Sequence, residues 1–321
     1  MCIRDRIAIA CKCENTKKNG KNASGNARLK CKDCGRSWVV DRVKPIGESR
    51  ISVEKAILCL NLVLEGMSIR AASRVTGVHK NTIGDLILRV GSNCDRLHQT
   101  LVQDVPVADI QADEIWSFVG AKNRTCKLRG LSPEMGDSWT WIGIESGTKM
   151  VMAYHVAGRD KDSCREFLEK LDNATSGRFQ LTTDGLGAYK NQVPFVFRNR
   201  VDFAQLVKVY GSTQEEKRYS PAKLQSCEKK VRFGNPDLDR VNTSFVERLN
   251  LSLRMHSRRH TRLTNAFSKD LLHHEAFQHL FFAFYNFCRK HETLKGKTPA
   301  MVAGVTQEVW TLKRLLTEAA K

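Results

Sequence analysis

No apolar run in this 321-residue sequence approaches the roughly 18–20 residues that a membrane span needs, so no transmembrane segment is expected. The opening residues, Met1 to Arg6, also lack a long apolar stretch, and no secretory signal is expected. Eleven cysteines, an odd number with no export signal, argue against a disulfide framework and for a reducing cytoplasm. Acid is scarce: 34 Asp and Glu face 53 Lys and Arg, a net charge of +19. A surplus of that size implies a polyanionic partner, most often nucleic acid; general surface basicity is the plainer alternative. With 41% hydrophobic and 27% charged residues, the chain is globular rather than disordered. Its length suggests about two or three units and a sizeable core.

Four of the cysteines lie close together, as Cys11-Lys12-Cys13 and Cys31-Lys32-Asp33-Cys34-Gly35. The turn signals Asn19-Gly20 and Ser24-Gly25 between them leave room for a short hairpin. Two Cys pairs at the ends of a hairpin can close a thiolate cage around one structural Zn²⁺, a zinc ribbon. Metal binding would also supply folding energy to a short polar segment with little core of its own. The C-x-x-C-G pair is a good knuckle, whereas C-x-C is one residue short and Cys2 is a conceivable substitute. Unliganded buried thiols are the plainer alternative. The scattered Cys59, Cys94, Cys126, Cys164, Cys227 and Cys288 read as core residues.

After Pro45-Ile46-Gly47 the pattern becomes helical. Val53, Ala56, Ile57, Leu60 and Leu64 recur at helical spacing, and Gly66 ends the run. Ser68 caps a second helix, closed by Gly77, and Lys80-Asn81-Thr82 opens a third with Ile83, Leu86, Ile87 and Val90 on its apolar side. Two helices joined by a tight turn, the second with a polar start, form a helix-turn-helix. Its base readers would be Val78, His79, Lys80, Asn81 and Thr82. An ordinary three-helix bundle gives the same periodicity.

In so basic a chain, acids beside strands are informative. Residues 107–120 alternate apolar and polar, and two further strands follow around Trp139–Glu145 and Met150–Val156, which together predict an antiparallel meander. A helix is expected over Asp162–Leu171, a strand over Arg178–Gly185 and a helix over Ser244–Arg254. That order fits an α/β, RNase H-like catalytic domain, a mixed sheet with flanking helices. Asp113, Asp184 and Glu247 would converge at one end of the sheet. Three gathered carboxylates repel one another unless cations neutralise them. Two Mg²⁺ (or Mn²⁺) would do so and would clamp the attacking and leaving oxygens of a phosphodiester. For any one of these acids, a solvated turn or surface ion pair is the ordinary role.

From Leu249 to Arg262 there is no acid, while Arg254, Arg258, Arg259 and Arg262 cluster with His256 and His260. Such a run would grip phosphates beside the metals. Either histidine has a weak claim as a general base. Leu271 to Phe287, dense in Leu and Phe, reads as a buried helix packed on the sheet.

At these residues the sequence resembles the DDE transposases of insertion sequences, most closely the insertion-sequence-one family. The resemblance rests on Asp113-Glu114-Ile115-Trp116-Ser117-Phe118-Val119-Gly120, on Thr183-Asp184-Gly185 with Tyr189, and on Phe245-Val246-Glu247-Arg248-Leu249-Asn250-Leu251-Ser252-Leu253-Arg254. It extends to Asn265-Ala266-Phe267-Ser268-Lys269 and to the amino-terminal cysteine region. It implies that Asp113, Asp184 and Glu247 bind the metals and that Asn250 and Arg254 position the acid or a DNA phosphate. It also implies that the amino-terminal modules recognise the terminal inverted repeats of the element. Many members are assembled from two reading frames, whereas this chain is continuous, and its tail from His291 to Ala300 looks like that of other DDE elements.

The expected organisation is a zinc-ribbon region over 1–45, a helix-turn-helix over 46–100, a catalytic domain over 101–305 and a helical tail over 306–321. The expected activity is DNA cleavage and strand transfer on double-stranded element ends and target DNA, in the prokaryotic cytoplasm, by a homodimer or larger synaptic assembly. The rivals are a DNA-binding regulator without catalysis and a metal-dependent nuclease that only hydrolyses.

Overall fold

The computed structural model describes residues 15–22, 26–39, 43–132, 134–210, 224–261 and 265–321. Cys11, Cys13 and Arg262 lie outside these residues. The described amino-terminal part is a three-stranded antiparallel sheet of β1 (Thr16–Lys21), β2 (Ala27–Cys31) and β3 (Ser37–Val39). Cys31 is buried at the end of β2, and Cys34 is exposed in the turn that follows.

Three helices come next: α1 (Val53–Leu64), α2 (Ile69–Thr76) and α3 (Lys80–Leu101). Their boundaries are local chemistry. The Ser52 and Ser68 hydroxyls accept hydrogen bonds from the amides of Lys55 and Ala71, satisfying donors left open in the first turn. Gly77, at φ 71°, takes the left-handed conformation that ends α2. At 22 residues, α3 runs far beyond a recognition-helix length and packs along the carboxy-terminal helices.

A six-stranded mixed sheet forms the centre, in the order β11-β10-β9-β5-β6-β7. Here β5 is Asp109–Val119, β6 Gly136–Glu145, β7 Val151–Ala157, β9 Phe179–Thr183, β10 Val201–Tyr210 and β11 Leu224–Phe233. The two-residue strands β4 (Val105–Pro106) and β8 (Thr175–Ser176) pair separately. β5, β6 and β7 form the expected antiparallel meander; β9 runs parallel to β5, and β10 parallel to β9. The β10–β11 hairpin is not anticipated by the sequence reading, although Val-Asp-Phe-Ala-Gln-Leu-Val-Lys-Val in β10 is strand-like.

One sheet face is covered by α5 (Lys161–Ala174) and α6 (Tyr189–Phe197). A short helix, α4 (Asn123–Arg129), lies between β5 and β6. On the other face lie α7 (Ser244–His256) and α8 (Leu271–Phe287), the latter buried as expected. Burying each of Phe277, Phe281, Phe282 and Phe287 contributes roughly 1.5–3 kcal/mol. The short α9 (Pro299–Val302) precedes α10 (Leu312–Ala319), which packs on α1, α3 and α8. A single apolar cluster thus runs from Ile46 to Ala319.

Two expectations need correction. Cys59, Cys94 and Cys164 are buried, but Cys227 is exposed, because β11 is an edge strand with solvent on its flank. Val78 is buried in the helical core and is no base reader. Among the described residues no helix is long and apolar enough to cross a membrane.

Candidate active site

The site is built at the junction of β5, β9, β10 and α7. In β5 the side chains alternate between the two sheet faces. Asp113 looks toward α7, where the Asn250 amide donates to its Oδ2 at 2.8 Å. The other end of Asn250, Oδ1, is buried with no hydrogen-bond partner among the described residues. Burial, followed by the nearby Asp184 and Glu247, pushes the Asp113 carboxyl up to about 6.

Asp184 sits where β9 ends beside β5, as expected. Its Oδ1 accepts from the Leu186 amide at 2.9 Å. The Gln205 side-chain amide on β10 donates to the carbonyls of Asp184 at 2.7 Å and Leu186 at 3.0 Å, fixing the loop. Gly185 and Gly187 line the groove here.

The sequence reading assigns no role to Glu114, yet this residue completes the densest acidic cluster. It projects to the opposite sheet face from Asp113 and its side chain has no exposure at all. Tyr189 Oη donates to its Oε1 at 2.5 Å, while Arg159 Nε and Nη2 each donate to Oε2 at 3.2 Å. The same Arg159 Nη2 lies 3.6 Å from Asp184 Oδ2. Burial, with Asp184 and Asp113 adding to it, pushes Glu114 up to about 8. Among the described residues, carboxylate oxygens of Asp113, Glu114 and Asp184 all lie within 4.8 Å of one another. The only sequence signal was that two adjacent acids interrupt a strand otherwise rich in apolar residues.

Glu247 lies on α7, one turn before Asn250, and is exposed. The Thr243 hydroxyl and the Lys208 ammonium from β10 both donate to its Oε1. Asp113, Asp184 and Glu247 line one groove of about 630 Å³, together with Arg159, Lys208 and Thr243. The expected triad therefore shares one surface, but Glu247 stands outside the tight cluster. The donor set fits a hard divalent cation: several carboxylate oxygens, with mutual repulsion that adds to burial in raising Asp113 and that a cation would offset.

The other expected residues lie elsewhere. His79, Lys80 and Asn81 are exposed at the start of α3 and Thr82 is half-buried; His79 Nδ1 accepts from the Asn81 amide at 3.3 Å. Arg254 is half-buried on α7. Arg258 donates to the Gly66 carbonyl at 3.0 Å, tying α7 to the α1–α2 turn. Arg259 donates to Ser268 Oγ at 3.1 Å and lies 5.5 Å from the Phe277 ring centre. Burial holds its guanidinium down to about 10. None of these three arginines lines the acidic groove. His260 is buried against Ser257, and His256 contacts the Leu64 carbonyl at 3.0 Å, so neither histidine reaches the acids.

No family model matches the chain. The insertion element iso-IS1n protein InsB of Shigella dysenteriae is 34% identical over 84 residues, 26% of this chain. That stretch is 53% of the relative, so the chain spans about half the length of the curated protein it matches. Among solved structures, the piggyBac transposase synaptic complex with hairpin DNA aligns with a TM-score of 0.37 at 11% identity, over 84% of this chain and 71% of that one. The Mos1 transposase paired-end complex with left transposon end aligns with a TM-score of 0.22 at 12% identity, over 52% of this chain and 62% of that one. On the sequence relationship, the chain resembles the proteins of insertion-sequence-one elements, as its strand and helix motifs imply.

Proposed function

We propose that the chain is a DDE transposase that binds the terminal inverted repeats of an insertion sequence and performs Mg²⁺- or Mn²⁺-dependent cleavage and strand transfer. The observation that carries this reading is the meeting of Asp113, Asp184 and Glu247 on one groove from three distant segments. Supporting it, a meander is extended on its far side by parallel strands, the order an RNase H-like domain requires.

In this reading the three acids hold two divalent cations, which when bound supply Lewis acidity at the attacking and leaving oxygens. Asn250 fixes the Asp113 carboxylate and Gln205 fixes the loop that carries Asp184. Lys208 and Thr243 hold Glu247 at the groove wall. Water attacks the phosphodiester at the element end and breaks its bond to the 3′-oxygen, leaving a 3′-hydroxyl. That hydroxyl then attacks a target phosphodiester in line, joining to its phosphorus as the target strand's 3′-oxygen leaves with the proton. Arg254, Arg258, Arg259 and Arg262 serve the flanking DNA; for Arg258 and Arg259, already engaged in the fold, the role is to brace that surface.

His79, Lys80, Asn81 and Thr82 read bases from a helix-turn-helix within 46–100, supported by their position at the start of α3. The 1–45 region binds one Zn²⁺ through Cys11, Cys13, Cys31 and Cys34. In support, the Cys34 amide donates to Cys31 Sγ at 3.5 Å, as in a thiolate knuckle. Residues 101–305 form the catalytic domain and 306–321 a helical tail. The protein works on double-stranded DNA in the prokaryotic cytoplasm, at the nucleoid, as a dimer or larger assembly holding two element ends.

Labelled terminal-repeat DNA, a plasmid target and Mg²⁺ or Mn²⁺ test this directly. Asp113→Asn, Asp184→Asn and Glu247→Gln are expected to abolish strand transfer and to leave repeat binding intact. Strand transfer at the wild-type rate by any of them would overturn the assignment. DNA binding without cutting would favour a regulator, and hydrolysis without joining a nuclease.

A further inference from the structure

Beyond the acids, the face of β5 and β6 that carries Glu114 changes character. At Glu114 and its cross-strand partner Trp141 it is sealed: Trp141 is buried against Phe167 of α5 and Tyr189 of α6. Two residues further on, Trp116 faces Trp139 across the ladder, and Phe118 follows on the same side. These three rings are only partly buried. Trp116 and Phe118 lie 5.6 Å apart between centres, and Phe118 stacks at 4.8 Å on Phe267, also partly exposed.

Each part of this row carries an exposed cation. Arg159 lies 4.5 Å over Trp139, Lys122 lies 5.5 Å over Trp116 and 5.9 Å over Phe118, and Lys269 lies 3.3 Å over Phe267. Among the described residues no acid forms an ion pair with Lys122 or Lys269. Asp137, the cross-strand partner of Phe118, is occupied by the Asn123 amide. Arg124, Lys127 and Arg129 add charge from the adjoining α4, with no acid before Glu134. Arg159 ties the row to the acidic groove, because it also reaches Asp184.

We infer that this row is a stacking track for unpaired DNA nucleotides leading to the acidic groove. Partly exposed rings, each with a cation over its face, match bases alternating with phosphates; Lys122 and Lys269 have no ion pair among the described residues, and only unpaired bases offer their faces. A surface cation–π contact contributes less than a stacked base, so an incoming base takes the ring and releases the cation to its phosphate. The cations disfavour an apolar protein partner. That the strand is an element end rests on the proposed transposase activity; the binding itself does not.

The test uses the full-length protein, an unstructured oligothymidylate and no divalent cation. The oligonucleotide is expected to quench tryptophan fluorescence. Trp116→Phe and Trp139→Phe should each lower the quench, while Trp310→Phe, altering a buried ring far along the chain, should not. Phe118→Ala should weaken oligothymidylate binding by about tenfold, and Phe118→Tyr should restore it, with duplex repeat binding unchanged in both. Equal affinity in Phe118→Ala, or a quench insensitive to both tryptophans, overturns the track. So does a Phe118→Ala effect confined to oligomeric state, which would assign the face to a second copy of the chain. Oligothymidylate binding here, with no cleavage of terminal-repeat DNA when Mg²⁺ or Mn²⁺ is added, would overturn the transposase reading and leave the track standing.

Discussion

Glu114 shows how much one buried carboxyl can depend on its neighbours. Its oxygens are satisfied by Tyr189 and Arg159, yet burial and two flanking acids hold its proton on up to about pH 8. The unfolded chain releases that proton near the ordinary value of 4.5. Between these values the native state binds more protons than the unfolded state, so this residue lowers stability as pH rises. Glu114→Gln removes that contribution. Denaturant midpoints of metal-free protein at several pH values should show wild-type stability declining relative to the variant from about pH 5 to 8; parallel curves would contradict it. Adding Mg²⁺ should reduce the wild-type loss, because a cation stabilises the ionised cluster.

At the scale of elements, the contact between α3 and α8 determines how the amino-terminal helices meet the sheet. Gly91 permits it: a Cβ there would lie 2.0 Å from the Ala276 carbonyl oxygen, against backbone that cannot step aside. Gly91→Ala should therefore cost about 1–3 kcal/mol despite the better helix propensity of Ala, read from urea unfolding. Helix limits were legible because their causes are local. Ser52, Ser68 and Gly77 act within a turn, and the Leu271–Phe287 run bears its burial in its composition. The β10–β11 hairpin was not, since Glu228, Lys229 and Lys230 on the edge strand resemble loop residues.

Across the whole molecule, the surplus of +19 means that the proposed DNA binding should be strongly salt-dependent. Lys80→Ala should lower the slope of log affinity against log salt by about 1. Asn81→Ala should instead relax base preference; if both variants behave alike, the start of α3 is not the reader. Local order along the chain specified the meander, the helices, the acids worth watching and the basic balance, because periodicity, caps and charge are properties of neighbouring residues. The fold alone decided which acids meet. Glu114 joins Asp113 and Asp184 because β9 pairs alongside β5, and Glu247 is held by Lys208 because β10 lies beyond β9. The same long-range pairing turned Arg258 and Arg259 away from the acids and set an aromatic row beside them. Contacts between residues more than 100 positions apart leave no periodicity to read; they exist only once the strands have chosen their neighbours.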